Sequence, residues 1–564
     1  MFITHRSIRR ALLTGTAACA ATATAAIAQD IDVIDDDRDT EVASSTDEIL
    51  VTGFRSSIQN SIAVKRNADT IVEAISAEDI GRLPDISIAE SLARLPGITS
   101  QRTNGQSSAI NIRGLSQSLT FSTLNGREQV TPNGNRSVEF EQFPSELING
   151  AQVYKSPKAS LIEGGLAGTV ELQTVRPLDQ NERTFIINAR GSFNDRAEEI
   201  FDANEFGYRV SASYVDQNAA GTLGVALGYA RLVQPDVSTR FVGFDFQNPQ
   251  SDVDGDGVND AISFGFETET QGGTDTRDGL FGTVQWRPTD NFEWEFDGYY
   301  SQFESDTFGR GVRVIGPQAQ TFGGTTVTTP VVVGNALVGG GFARNIGAPT
   351  AAVGGGFGLT AQVINDNNFD EDELLSFGSK GTWSQDNWEL SADFTFSRAI
   401  SNFANEVSAA LPLTSLDGGV PGISNDAPAT ATLNPDLGVG LFLQGTEIPF
   451  VGFTQDFTDR SQIFLSRFGA FPFENRDRVF AGALDSKVDV DNGLLSSFEL
   501  GFRYSQRRAS QFRESVDSGN EPEKHCTCEL SSVSSIGVKK LPANWKKPAS
   551  LPESTDSRNW LARR

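Results

Sequence analysis

The sequence predicts an α+β domain followed by antiparallel strands of a transmembrane β-barrel. Residues up to Leu178 mix short helical and strand patterns, whereas after Leu178 apolar and polar residues alternate with a period of two. No apolar run approaches the roughly 18 residues of a spanning helix. The 39 Phe and 55 Gly among 564 residues are typical of chains that cross membranes as strands.

The first 28 residues have the order of an export signal. A basic start that includes Arg9 and Arg10 precedes a moderately apolar stretch, and Ala26 and Ala28 provide a small-residue cleavage site. We therefore expect a signal peptide over residues 1–28 and an acidic linker over residues 29–46.

Residues 47–55, DEILVTGFR, place a run of strand-forming side chains directly after this acidic linker. An extended segment with free N–H and C=O groups can add itself to the edge of a partner's sheet. This predicts a partner-binding segment, although the same residues could form the first strand of the next domain. The predicted segment comprises Glu48, Ile49, Leu50, Val51, Thr52 and Gly53.

Residues 56–178 have the length of a small domain with its own core. Asp85 precedes apolar residues at helical spacing, and Pro96 ends the pattern, so a capped amphipathic helix is expected there. Short strands are expected around residues 109–113 and 150–154.

After Leu178, one apolar and one polar face repeat along each strand, as in Phe292, Trp294 and Phe296 with glutamates between them. The links alternate between tight turns and long loops, which is typical of an outer-membrane barrel. A soluble β-sandwich is the alternative. We predict nine strands, near residues 183–194, 206–216, 222–232, 280–287, 292–302, 375–384, 387–398, 479–489 and 494–507.

The composition excludes several functions. A net charge of −27 argues against nucleic acid, whose phosphates need a basic surface. Three Cys and two His leave little room for a disulfide framework or a zinc site. Because no nucleophile elbow, P-loop or dinucleotide-binding fingerprint is present, we expect no enzyme.

An acidic stretch in the long loop before the fourth strand has the carboxylate spacing and the turn glycine of a calcium loop. Ser263 stands at the position where an EF-hand has a bidentate Glu, so either a calcium site or a solvated acidic turn is expected. The candidate ligands are Asp252, Asp254, Asp256 and Asp260.

The chain resembles the N-terminal half of a TonB-dependent outer-membrane receptor. The resemblance is carried by residues 47–55, by RLPDISIAESLARLPGI over residues 82–98, by INIRGL over residues 110–115, by LNGRE over residues 124–128, and by residues 140–174. It implies a TonB box over residues 47–55, a plug domain over residues 56–178 and barrel strands over residues 179–518. The implied partners are TonB with its inner-membrane proton-driven complex, the lipid of the outer membrane and a scarce nutrient.

Residues 140–174 are similar to the carbohydrate-associated subgroup of these receptors, which implies an oligosaccharide as the nutrient. The alternative is an exported β-rich binding or adhesin-like protein without transport.

Charged residues in the plug domain lie among glycines and polar residues. Between the plug and a polar barrel wall they would pair with wall residues and make the plug removable, or they would contact the ligand. The candidates are Arg113, Arg127, Glu128, Arg136 and Glu139.

Residues 519–564 contain none of the 39 Phe and no alternating strand pattern. We expect a tail outside the barrel, produced by a shifted reading frame, and a barrel with nine of the 22 strands that the family uses. An open sheet leaves backbone groups without partners in lipid, so we expect a truncated, non-functional transporter that cannot form a transporting pore by itself.

Overall fold

The computed structural model describes most of the chain from Thr52 onward. The described residues are 52–76, 87–103, 106–133, 137–180, 182–246, 251–317, 325–344, 359–416, 431–433, 437–443, 449–457, 463–490, 497–517, 523–526 and 530–533. Among the predicted site residues, Glu48, Ile49, Leu50, Val51 and Arg136 lie outside them.

Helix α1 (Thr52–Asn67) begins inside the predicted partner-binding segment. The expected extended conformation is therefore wrong for Thr52 and Gly53. Lys65 and Arg66 occupy the last turn of this helix, where the helix dipole favours cations.

The domain expected over residues 56–178, called the plug domain below after the resemblance, is built on a five-stranded sheet with the order β1-β6-β7-β4-β5. A hairpin of β2 and β3 and the short helix α2 pack beside it, and its core includes Ile88, Ile112, Phe143 and Leu172. The bounds are β1 (Val72–Ser76), α2 (Ile88–Leu92), β2 (Ile98–Thr103), β3 (Gln106–Ile112), β4 (Thr120–Leu124), β5 (Arg127–Glu128), β6 (Gly150–Tyr154) and β7 (Gly168–Gln173).

The predicted strands of this domain are present as β3 and β6, but the predicted helix is shorter than expected. α2 ends at Leu92 because the chain turns over residues 93–97 before β2 begins.

A large antiparallel sheet, called the wall below, follows the plug domain. Its strand order is β20-β22-β21-β16-β15-β12-β11-β10-β9-β8. The nine predicted strands are β8 (Thr184–Phe193), β9 (Phe206–Gln217), β10 (Leu223–Gly243), β11 (Gly265–Thr289), β12 (Phe292–Ile315), β15 (Thr360–Gln385), β16 (Trp388–Leu416), β21 (Phe473–Asp489) and β22 (Ser497–Asp517). Among the described residues, the strand order does not close on itself.

Most of these strands continue well past their predicted ends, always toward the long loops. β15, for example, begins at Thr360 although the alternation first appears near residue 375. The intervening residues, NDNNFDEDE, are polar on both faces, so no two-residue apolar period marks them as strand.

The two faces of the wall differ in character. Large apolar side chains such as Phe296, Phe377 and Phe394 are exposed on one face, which suits contact with lipid. The opposite face carries polar side chains and contacts the plug domain. No helix among the described residues combines the length and the apolar character needed to cross a membrane.

The long connections contain strands that the sequence did not predict. Strands from two of these connections form a second sheet, ordered β13-β14-β18-β19, over a separate core that includes Phe266, Phe342 and Leu441. The additional strands are β13 (Thr325–Val333), β14 (Ala336–Arg344), β17 (Ala431–Leu433), β18 (Gly438–Phe442), β19 (Phe450–Phe453) and β20 (Ile463–Ala470).

Among its described residues, the predicted tail over residues 519–564 contains two short strands. β23 (Glu523–Cys526) and β24 (Leu530–Val533) both pair with β22. The free backbone groups along β22 can bind any short extended segment, whatever the pattern of its side chains. A shifted reading frame stays a prediction.

Candidate functional site

Arg127 joins the plug domain to the wall. It follows a tight turn in which Asn125 and Gly126 both have positive φ, and it is only 3% exposed. Its guanidinium pairs with Asp297 on β12, and its Nε lies 3.1 and 3.0 Å from the carboxylate oxygens of Asp393 on β16. A Cβ at Gly378 on β15 would overlap this guanidinium, so a larger residue there would have to displace the side chain of Arg127.

Glu128 makes the neighbouring contact with the wall. It accepts from Arg503 at 2.9 Å and from Arg507 at 3.4 Å, both on β22. Arg507 also donates through Nε to Asp477 on β21, at 3.1 and 3.0 Å from its two oxygens. Arg127 and Glu128 therefore hold the plug to strands that follow it by hundreds of residues.

Glu146 makes a third ion pair, with Arg209 on β9 at 2.9 Å. Burial alone would raise the pKa of the Glu146 carboxyl, but the charges of Arg209 and Arg277 outweigh it and lower this pKa. Glu146 therefore stays ionised at the interface.

The segment between these ion pairs docks through its backbone and an amide. Tyr299 on β12 donates its hydroxyl to the carbonyl oxygen of Gln142 at 2.6 Å, and its ring stacks on Phe143 with centroids 5.1 Å apart. Arg277 on β11 donates to the carbonyl oxygen of Glu141 at 2.5 Å. Gln142 in turn donates through Nε2 to Asp372 on β15 at 3.0 Å.

The other predicted plug charges are placed differently. Arg113 is exposed in a turn where it has a φ of 55°, and no ion pair with the wall is present for it among the described residues. Arg136 lies outside the described residues. Glu139 is partly buried and faces Asp370.

The plug-facing side of the wall is acidic toward the long loops. Arg240 and Arg313 pair with Glu267 and Glu269 there, so these four charges compensate one another. The remaining plug-facing carboxylates of this region are Asp236, Asp275, Asp366, Asp370 and Asp372.

The acidic loop before β11 brings three of its four candidate ligands together. Carboxylate oxygens of Asp252, Asp254 and Asp260 all lie within 4.8 Å of one another. Asp256 is not in this group, and its Oδ1 accepts from the backbone N–H of Val258 at 2.7 Å. Three of the four predicted ligands thus lie close together, and calcium binding stays a prediction.

The plug and the wall share no backbone ladder among the described residues. The five-stranded sheet and the wall are separate sheets, and side chains link them through polar pairs and through apolar contacts such as Phe143 with Tyr299. The plug can therefore leave the wall without disrupting the hydrogen-bond ladders of either sheet.

The wall residues at this interface were not identified from the sequence. Asp297 and Asp393 were recognised only as polar positions of alternating strands. The sequence feature that could have identified them is the single aspartate on the polar face of each strand, in EWEFDGYY and in ELSADFTF.

Residues 64–170 match the family model for the TonB-dependent receptor plug domain. The chain is also similar to a mutant of the ferric enterobactin receptor PfeA from Pseudomonas aeruginosa in complex with enterobactin, at 11% identity over 79% of this chain and 78% of that chain, with a TM-score of 0.32. It is similar to the unliganded ferric citrate transporter FecA at 9% identity over 82% and 80% of the two chains, with a TM-score of 0.28. Because both TM-scores are below 0.5, the plug-domain match alone carries the assignment. This match assigns residues 64–170 to the plug domain of TonB-dependent receptors.

Proposed function

We propose that this chain is a TonB-dependent receptor of the outer membrane, which takes up a scarce nutrient actively and uses the plug as a removable stopper. The observation that carries the proposal is the pairing of Arg127 and Glu128 with wall residues in the absence of a shared backbone ladder. Such contacts hold the plug in place at rest. They can be broken one at a time and reformed, because each is local and polar.

The pull would come from TonB, bound to the segment over residues 48–53. Helix α1 begins at the end of this segment and is tied to the plug sheet. Lys65 on α1 lies 2.7 Å from Glu73 on β1, and Glu73 lies 3.2 Å from Lys155 at the end of β6. Tension on the segment would therefore reach two strands of the plug through side-chain charges.

We propose an oligosaccharide as the nutrient. The resemblance of residues 140–174 to the carbohydrate-associated receptors supports this, and so does the acidic plug-facing wall. Carboxyl groups there can exchange hydrogen bonds with the hydroxyls of an uncharged sugar, and those that are ionised repel an anion. Ferric enterobactin and ferric citrate, named in the titles of similar structures, are the competing ligand class.

Uptake in cells separates these possibilities. The chain would be expressed in the outer membrane of a strain that lacks its own receptors, and uptake of labelled oligosaccharides and of ferric citrate would be measured with and without TonB. We expect TonB-dependent uptake of an oligosaccharide. Uptake of ferric citrate alone would overturn the nutrient class, and oligosaccharide binding without any TonB-dependent uptake would favour the adhesin-like alternative.

A further inference from the structure

The plug segment Glu139–Gln142, called the acidic segment below, lies against an acidic part of the wall. Glu139 and Glu141 are both partly buried, and the charges that act on them include Asp275 on β11 and Asp370 on β15. Gln142, next to them, is 1% exposed and donates to Asp372. Five carboxyl groups thus gather at this contact, two on the segment and three on the wall.

Two acceptors in this contact have no hydrogen-bond donor among the described residues. They are Oε1 of Gln142 and Oδ1 of Asp372, whose residues are 1% and 3% exposed. A buried acceptor without a donor is costly, and a neighbouring carboxyl that carries a proton removes the cost by donating it. The contact therefore fits neutral carboxyl groups better than ionised ones.

The nearby arginines donate to other acceptors, and the charge of Arg277 opposes the rise in the pKa of Glu141 without outweighing burial. Arg277 donates to the carbonyl oxygen of Glu141, and Arg209 pairs with Glu146. The titratable and charged groups that face the acidic segment from the packed elements are Arg209 on β9, Asp275 and Arg277 on β11, Tyr299 on β12, Asp370 and Asp372 on β15, and Glu146 of the plug.

We propose that the acidic segment is a proton-controlled latch, which docks on the wall when its carboxyl groups are protonated and loosens when they ionise. The latch is distinct from the ion pairs of Arg127 and Glu128, which need ionised carboxylates. One interface thus combines contacts with opposite dependence on protonation.

The direction of the pH effect follows from burial. Burial raises the pKa of Glu139 to about 7, and burial together with Glu139 raises the pKa of Glu141 well above its usual value of 4.5. A carboxyl whose pKa is raised by docking stabilises the docked state fully below the undocked pKa of 4.5. This stabilisation is lost as the pH rises from there toward 7 and above.

Hydrogen exchange on the full chain in detergent tests the latch. The readout is the protection of amides in residues 139–147 at pH 5.5 and pH 8, corrected for the intrinsic exchange rate. We expect protection to fall by roughly tenfold or more at pH 8, since one unit of pKa shift corresponds to a tenfold change. The double variant E139Q/E141Q is expected to keep high protection at both values.

Two further variants make the result decisive. E163Q removes an exposed glutamate of the same domain and is expected to keep the pH dependence. D372N changes the wall side only and is expected to reduce the dependence, which keeps the test valid if the double variant does not fold. Equal protection of the parent chain at both pH values would overturn the proposal, as would an unchanged pH dependence in both E139Q/E141Q and D372N.

Discussion

Nη2 of Arg127 lies 2.9 Å from Oδ2 of Asp393, although the two residues are 266 positions apart in the chain. The arginine is in a two-residue strand of the plug, and the aspartate is on β16 of the wall. The contact joins strands that belong to two separate sheets. It therefore reports on the docking of a finished plug rather than on the folding of either part.

Removing Arg127 should release the plug more than removing an exposed arginine. R127M leaves Asp297 and Asp393 buried without their cation, and breaking a buried pair costs about 3–5 kcal/mol. The half-exposed pair of Arg176 with Glu293 is the control, since such pairs contribute about 0–1 kcal/mol. The measurement is the free energy of opening of β4, from hydrogen exchange. Equal losses for R127M and R176M would contradict this account of the interface.

The stability of the plug core should depend on pH through Glu171 on β7. This carboxyl accepts from the N–H of Gly126 at 2.6 Å, and burial raises its pKa to about 7. The contribution of this carboxyl to the free energy of unfolding is complete below pH 4.5 and is lost as the pH rises toward 7, a change of about 3 kcal/mol. Exchange of the β7 amides between pH 5 and 8 measures this loss, and E171Q should flatten the profile.

Glu73 provides a control, because the stability that it contributes changes with pH in the direction opposite to that of Glu171. Burial raises the pKa of its carboxyl, but the hydrogen bonds from Lys65 and Lys155 outweigh burial and lower this pKa. Its contribution is present above pH 4.5 and is lost as the pH falls. E73Q should therefore lower the stability of the plug at neutral pH. The loss of stability that Glu171 causes between pH 4.5 and about 7 should be the same in E73Q as in the parent chain. A smaller loss in E73Q would show that the two carboxyl groups do not titrate independently.

The acidic loop should bind calcium through three carboxylates, not four. Calcium prefers several oxygen ligands, and the oxygens of Asp252, Asp254 and Asp260 lie within 4.8 Å of one another. D254A should abolish calcium-dependent protection of the loop against protease, whereas D256A should preserve it. Calcium-independent cleavage of the parent chain would rule out the site.

Binding of TonB should need the backbone N–H of Val51. V51P removes this donor from a strand that adds to the partner's sheet, whereas V51T keeps it together with a β-branched side chain. Calorimetry of the purified chain with the C-terminal domain of TonB should show binding weakened by roughly tenfold or more for V51P only. Equal affinities for the two variants would argue against strand addition.

The regular parts of the fold could be predicted because each has a local signal. Nine wall strands were found from alternation, yet β15 was predicted at less than half its length because its polar half has no apolar period. β13 and β14 were missed for a related reason, since their second sheet depends on contacts with β18 from another connection. Likewise, Arg127 and Glu128 were identified as interface charges, but their partners depend on the register of distant strands.

Pulling on the N-terminal end of the chain with an optical trap tests the central claim most directly. If the plug is held to the wall only by side chains, residues 64–178 should unfold as a separate event at lower force than the wall. The expected extension is about 400 Å, at 3.3–3.6 Å per residue, and R127M should lower the force of this first event. Simultaneous unfolding of plug and wall in a single event, unaffected by R127M, would contradict a removable plug.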